Sequence, residues 1–265
     1  MMESLRHPTA IIHPNAKLAD DVSVGPYSII GEHVEIGAGT VVGPHVVIDG
    51  HTTIGRNNQF FQFGSIGEIP QDKKFKEGDE TRLVIGDNNT IRECVTFNLG
   101  TVQDKGVTTI GSNNWIMAYV HVAHDCVVGD HNTISNSVQF AGHVTVGNHT
   151  LIGGMSGIHQ FVRVGDFAML GFMTRLSQDL PPFILAVGNP AEVKGPHQEG
   201  PRRAGYSAAR LDMIKQMYRA LYRAGSSFDA AKKEIEALRG QAADADNDVE
   251  NMLTFLNHAA RGIVR

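Results

Sequence analysis

Beginning at Ile12, an apolar residue recurs every six positions: Leu18, Val24, Ile30, Ile36, Val42, Ile48, Ile54, Phe60 and Ile66. The phase breaks after Gly67, returns at Ile85, Ile91 and Phe97, and breaks again. It then runs from Ile110 to Leu176, for 25 hexads in all. The residue two before is usually small or β-branched, as at Ala10, Ala16, Val22, Ser28, Val34 and Thr40. Positions two apart on an extended strand face the same side, so both point inward. The residue after the aliphatic is commonly glycine (Gly25, Gly31, Gly37, Gly43, Gly55, Gly67), which suits a tight turn needing φ > 0. Six residues per flat side with a turn at each corner predict a coil of parallel strands, about 18 residues per three-sided turn. An α/β protein would need helical patterns between the strands, and residues 8–180 carry none.

Two insertions interrupt the ladder, at about 68–82 (EIPQDKKFKEGDETR) and 99–107 (LGTVQDKGV). Loops thrown out of a rigid solenoid tend to line one face and to carry binding residues. The ladder ends at DLPPFILAVGNPAEVKG, where paired prolines cannot continue a strand. Helical periodicity follows. Ser207 is placed to cap a helix bearing Leu211, Ile214, Met217 and Leu221, Ser227 a second bearing Phe228, Ile235 and Leu238, and a third spans about Asp248–Arg261. The division expected is a coil over residues 1–190 and a small helical domain over 191–265.

Composition narrows the function. A net charge of −5 offers no basic field for nucleic acid. Two cysteines, Cys94 and Cys126, are too few for a disulfide framework and suit a reducing compartment. The start, MMESLRHPTAII, has no apolar core of a signal peptide, and no window approaches the roughly 20 apolar residues of a membrane span. A cytoplasmic protein without stable membrane insertion is expected.

The candidate chemistry lies in Val120–Gly129, VHVAHDCVVG, which puts His121, His124 and Asp125 where the rest of the ladder has neutral fillers. AGHV follows with His143, then GIHQF with His159 and Gln160. At about 18 residues per coil, position 142 stacks on His124 and position 160 on 142, so three histidines approach one edge on successive coils, each about 5 Å from the next. Metal binding would need three or four convergent ligands, and no CxxC or HExxH accompanies these histidines. Cys126 occupies the small inward position of its hexad and is expected to be buried and inert. A histidine general base supported by the adjacent carboxylate of Asp125 fits best. The alternative is that the histidines only satisfy turn hydrogen bonds. In the first insertion, Asp72, Lys73 and Lys74 could clamp a phosphate-bearing substrate, or form an ordinary solvated loop. Lys215, Arg219 and Arg223 make a basic stripe at i, i+4 and i+8, suited to an acidic partner but equally a wet face.

Taken together, the hexad ladder, HVAHDCVVG, AGHVTVG, IGGMSGIHQF, the QDKKF insertion and the helical tail closely resemble the acyl-[acyl-carrier-protein]–UDP-N-acetylglucosamine O-acyltransferase family over nearly the whole chain. The resemblance implies an all-β left-handed parallel β-helix, an exception to the usual right-handed crossover, followed by a C-terminal α-helical domain and assembled as a homotrimer with sites between subunits. It implies the first step of lipid A biosynthesis, transfer of an R-3-hydroxyacyl chain from acyl carrier protein to the 3-hydroxyl of UDP-N-acetylglucosamine. His124 then matches the general base, Asp125 its support, and the Gly142 N–H an oxyanion donor. His121, His143, His159 and Gln160 match substrate contacts, Asp72 and Lys74 sugar-nucleotide contacts, and Glu199 and Arg203 nucleotide contacts. The stripe of Lys215, Arg219 and Arg223 would face the acidic carrier protein. No metal or diffusible cofactor is implied, since phosphopantetheine arrives on the carrier. The chain departs from some relatives at Asn98 and Leu99 (for His-Arg), at Pro190 (for His) and at Ala204 (for Arg). Phe172 falls where relatives set acyl length, and an aromatic there implies a short 3-hydroxyacyl donor. Rival assignments are the related N-acyltransferase acting on a 3-amino sugar, acetyl-CoA-dependent hexapeptide acetyltransferases, and non-catalytic or zinc-binding hexapeptide trimers.

Overall fold

The computed structural model describes residues 5–242, 244–259 and 261–265; residues 1–4 of the expected coil and Ala260 of the expected third helix lie outside them. The hexads build a three-faced prism. The first face has nine strands, from Ile11–Ile12 to Arg175–Leu176, and the second has eight, from Lys17–Leu18 to Arg163–Val164. The third has ten, from Ser23–Val24 to Met169–Leu170 and on through Ile184–Val187 to Glu192–Pro196. Every pairing within the faces is parallel except the last, where Glu192–Pro196 turns back antiparallel on Ile184–Val187 and closes the coil. Register follows the repeat: Ile11 pairs with Ile29, Ile29 with Val47 and Val47 with Ser65. The insertions stretch the next two steps, Ser65 to Thr96 and Thr96 to His121, after which His121, Gln139, Gly157 and Arg175 resume the 18-residue spacing.

Each hexad aliphatic stacks on the one below, so beyond the partly buried Ile12 and Leu18 the interior is a column of buried Ile, Val, Leu and Phe, with Phe60, Phe97 and Phe140 the bulkiest. Burying one such side chain contributes about 1.5–3 kcal/mol. Gly67 takes the positive φ expected of it, 79°, whereas Gly25, Gly31, Gly37, Gly43 and Gly55 do not and serve a different purpose. In most turns the left-handed backbone falls three residues past the aliphatic, on residues such as Tyr27, His45 and Asp125, with φ between 54° and 65° where that residue is not glycine. Glycine follows the aliphatic because successive coils touch there. A Cβ on Gly25 would stand 2.8 Å from the carbonyl carbon of Gly43, and one on Gly43 2.7 Å from the Phe60 oxygen.

Along the corner between the second and third faces, the small inward position is taken by asparagine: Asn58, Asn89, Asn114 and Asn132, all buried. Each side-chain oxygen accepts the backbone N–H of the residue one coil up: Asn89, Asn114, Asn132 and Thr150 in turn, at 2.7–2.9 Å. The ladder satisfies amides that a β-turn in the interior would otherwise orphan.

Beyond the coil lie α1 (Glu199–Arg203), α2 (Ala208–Tyr222), α3 (Phe228–Glu236) and α4 (Asp246–Asn257). Ser207 and Ser227 cap α2 and α3 as expected, accepting from the Arg210 and Ala230 amides. The short α1 has no counterpart in the sequence pattern, and α4 begins two residues earlier than its periodicity suggests and ends at Asn257. The helices share a second core that includes Phe167 and Phe183 of the coil with Met213, Met217, Leu253 and Leu256. The C-terminal segment returns to the coil, where Asp179 donates its N–H to Gly262 and accepts one from Val264.

Candidate active site

Both insertions leave the prism at the same corner. The first runs between Ser65–Glu68 on the first face and Arg82–Ile85 on the second, and the second between Thr96–Asn98 and Val107–Ile110. On the coils that follow, this corner carries His124 and Asp125, then Gly142 and His143, then Gln160 and Phe161.

Asp125 is the hub. It is wholly buried, and its left-handed backbone folds the carboxylate under the turn. The His124 ring nitrogen Nδ1 lies 3.0 Å from Oδ2, the Thr101 hydroxyl donates to the same oxygen at 2.6 Å, and the Thr101 N–H reaches both oxygens at 3.1 Å. Burial is the largest single influence on this carboxyl and works to raise its pKa; the hydrogen bonds from His124 and Thr101 outweigh it together, and the net direction is down. The charged form is therefore the one the site holds. A carboxylate accepting from Nδ1 requires the proton there, which leaves Nε2 of a neutral His124 as the basic nitrogen. Among the described residues Nε2 has no hydrogen-bond partner.

Gly142 sits against the same ring. A Cβ at this position would stand 2.5 Å from Cε1 and 2.7 Å from Nε2 of His124, so only glycine admits the imidazole. The Gly142 N–H makes no hydrogen bond among the described residues, as is also true of the His124 and Gln160 amides at the same turn position. His143 meets His124 edge to face at 4.9 Å and stacks on Phe161 at 4.2 Å. Its Nδ1 lies 2.7 Å from Asp104 Oδ2 and 3.9 Å from Asp125 Oδ2. His124, Asp125 and His143 offer ligand atoms within 4.8 Å of one another, close enough to share a metal ion. Of the candidate ligand atoms, His124 Nδ1, Asp125 Oδ2 and His143 Nδ1 are engaged in hydrogen bonds.

His121 and His159 line a groove of about 520 Å³ on the adjoining first face, with Gln139, Gly157 and Arg175. His121 Nδ1 contacts the Thr96 hydroxyl at 2.7 Å, and its pKa is lowered, first by burial and further by the neighbouring His124. His159 is exposed in this groove, and Gln160, exposed beside it, stands at the corner. Cys126 is buried, and burial pushes its thiol up to about 12, as its inward position implied.

The other expected residues lie elsewhere on the single chain. Asp72 accepts the Lys74 N–H at 2.9 Å in a turn of the first insertion, and Lys74 is exposed, with no ion pair among the described residues. Glu199 holds both Arg202 and Arg203, and with Arg203 borders a cavity of about 730 Å³ that includes His131, His149 and Met169. Phe172 is 64% exposed on the corner between the third and first faces, away from His124. Lys215 and Arg219 stand exposed on α2 and Arg223 at its C-cap, Arg219 and Arg223 beside a cavity of about 540 Å³. Sequence analysis missed Thr101, Asp104 and Lys105, whose Nζ reaches the Asp125 carbonyl oxygen at 3.3 Å. Asn98, singled out as a departure from some relatives, is buried and donates to the Ile69 carbonyl, joining the roots of the two insertions.

Residues 108–142 match the model of the bacterial transferase hexapeptide family, and residues 179–264 that of UDP-N-acetylglucosamine O-acyltransferase, domain 2. The chain is 56% identical to the acyl-[acyl-carrier-protein]–UDP-N-acetylglucosamine O-acyltransferase of Paracidovorax citrulli and 52% identical to that of Thiobacillus denitrificans, over 98% of both chains in each case. Its structure is similar to the crystal structure of UDP-N-acetylglucosamine O-acyltransferase from Moraxella catarrhalis, with a TM-score of 0.94 and 44% identity over 98% of this chain and 100% of that one. The fold is a left-handed parallel β-helix with a C-terminal helical domain.

Proposed function

The chain belongs to the UDP-N-acetylglucosamine O-acyltransferase family, and we propose that it moves an R-3-hydroxyacyl chain from acyl carrier protein to the 3-hydroxyl of UDP-N-acetylglucosamine, the first step of lipid A biosynthesis. His124 is the general base. Its Nε2 takes the proton of the sugar hydroxyl as that oxygen bonds to the thioester carbonyl carbon, and Asp125 stabilises the imidazolium that forms. The Gly142 N–H donates to the oxyanion of the tetrahedral intermediate. When the carbon–sulfur bond breaks, His124 returns its proton to the departing phosphopantetheine thiolate. His121, His143, His159 and Gln160 hold the acceptor sugar, Asp72, Lys74, Glu199 and Arg203 the nucleotide, and the α2 stripe the acidic carrier. No diffusible cofactor enters this scheme. No helix among the described residues is long and apolar enough to cross a membrane, and a cytoplasmic location accords with a carrier-borne donor.

A homotrimer with sites between subunits accounts for two observations. The corner between the third and first faces exposes a row of large apolar side chains, Tyr27, Phe63, Tyr119, Met155 and Met173, of the kind that marks an interaction surface. Phe172 stands beside that row, where it would measure acyl length only in a neighbour's site.

The observation that carries the proposal is the His124–Asp125 pair at 3.0 Å, with the carboxylate buried and Nε2 unengaged. Acyl transfer from 3-hydroxyacyl carrier protein to UDP-N-acetylglucosamine, wild type against His124→Ala, tests it. Losing a general base costs about 10²- to 10⁴-fold. A His124→Ala protein of the same oligomeric state that keeps near-full activity would make His124 structural.

A further inference from the structure

The second insertion stands closer to the reacting groups than the ladder's own spacing implies, and the structure assigns to its Asp104 a role that nothing in the hexads foreshadows. We propose that Asp104 is a positioning residue that sets the orientation of His143; the functional consequence rests on the acyl-transfer assignment above.

His143 is constrained twice. Stacking on Phe161, with rings 4.2 Å apart and only 6° from parallel, fixes the plane of the imidazole. Stacking leaves rotation within that plane open, since either ring nitrogen could face the corner. Asp104 removes this freedom, because its Oδ2 lies 2.7 Å from Nδ1. A carboxylate accepts only, so Nδ1 carries the proton and Nε2 is left as the accepting nitrogen. Asp125 Oδ2 is 3.9 Å from the same Nδ1, beyond hydrogen-bond reach, and is already engaged by His124 and Thr101. It cannot do the same work.

The loop is built to hold the carboxylate there. Thr101 donates its N–H and hydroxyl to Asp125, and the Asp104 and Gly106 amides both donate to the Thr101 carbonyl at 3.2 and 3.0 Å. Asp104 is thus tied through Thr101 to the carboxylate that supports His124. The pair is only part-shielded, with side-chain exposures of 15% for His143 and 38% for Asp104. Its contribution to folding is correspondingly small, whereas its effect on which nitrogen meets the substrate is not screened by water.

The test is a double-mutant cycle in the acyl-transfer assay. Asp104→Ala should lower kcat/KM for UDP-N-acetylglucosamine by about tenfold, the scale of one hydrogen bond to a charged group. Asp104→Asn keeps an acceptor and should recover part of that loss. In a His143→Ala background, Asp104→Ala should cost nothing further, which a merely structural loop residue would not satisfy. Unchanged activity in Asp104→Ala, or additive losses in the double variant, would overturn the proposal. A second readout stands apart from activity: nitrogen-15 spectra of histidine-labelled protein should show His143 protonated at Nδ1 in the wild type and a mixed tautomer in Asp104→Ala. A wild type that transfers no acyl chain defeats the functional assignment, yet the tautomer measurement still decides whether Asp104 orients His143, and equal spectra would refute that.

Discussion

One methyl group at Gly142 would separate the position of the base from its chemistry. In Gly142→Ala every proposed reacting atom remains, including the residue 142 N–H and the whole of His124. The added Cβ would sit 2.5 Å from His124 Cε1 and 2.7 Å from Nε2, and ordinary contact begins near 3.4 Å. The imidazole must therefore retreat by roughly 0.9 Å or the turn must open by as much. Retreat carries Nδ1 off Asp125, now at 3.0 Å, because Asp125 is clamped from its other side by Thr101 and cannot follow. Misplacement of about 1 Å at a reacting group costs on the order of 10²-fold in rate, whereas overpacking by one methyl costs about 1–3 kcal/mol of stability. Gly142→Ala should thus keep its fold and oligomeric state, lose a few degrees in melting temperature, and fall about a hundredfold in kcat. Steady-state acyl transfer with a parallel thermal melt measures both. Activity within threefold of wild type would mean that the His124 ring position is immaterial, and with it the base assignment.

Three further outcomes follow from other parts of the chain. The Asp125 carboxyl is held below its ordinary range, so its contribution to stability is present above the unfolded pKa of about 3.9 and is lost as pH falls through the folded value. Asp125→Asn should be less stable than wild type at neutral pH by a gap that closes below about pH 4, and a denaturation series showing a constant gap would contradict this. Asn89→Ala deletes the donor to Asn58 and Gly111 and the acceptor for the Asn114 amide, all at 2.9 Å; at about 1–3 kcal/mol for each buried group left orphaned, chemical denaturation should show a loss near 3 kcal/mol, and a loss under 1 would make the ladder ornamental. Phe172→Gly removes an exposed aromatic beside Gly154, and competition between acyl-carrier donors should then shift at least tenfold toward longer chains; an unaltered preference would detach Phe172 from acyl length.

The coil was legible because its constraint is periodic. An inward aliphatic every sixth residue suits few folds besides a stacked coil, and the strands fall where the hexads put them, down to the pairing of His121 with Gln139 and Gly157. Ser207 and Ser227 were equally readable, since an N-cap is a local hydrogen bond. The purpose of the glycines other than Gly67 was not legible, for a definite reason. Both a left-handed turn and a close coil-to-coil contact demand glycine, and only the coordinates distinguish φ at Tyr27 from the 2.8 Å clearance at Gly25. The asparagine ladder was hidden because small inward positions elsewhere hold Val, Ala or Thr, and hydrogen bonds across 18 or more residues leave no local trace.

The site divides along the same line. His124, Asp125 and Gly142 could be placed together from the repeat alone, since each occupies a ladder position, and His143 and Gln160 follow one residue or one coil away. Thr101 and Asp104 could not, because an insertion has no period to fix its contacts. A trace of them was nonetheless available. Counting hexads from Ile12 assigns Ile66 and Phe97 to the first face and Ile85 and Ile110 to the second, so both insertions must leave at one corner. The same count puts Val122 on the first face and Val128 on the second, and so brings His124 to that corner on the very next coil. A polar loop rooted one coil below a histidine–carboxylate pair, about 5 Å away along the axis, has little choice but to cover it. The interruptions of the ladder are therefore as informative as its regularity, because their phase states which edge of the prism they serve.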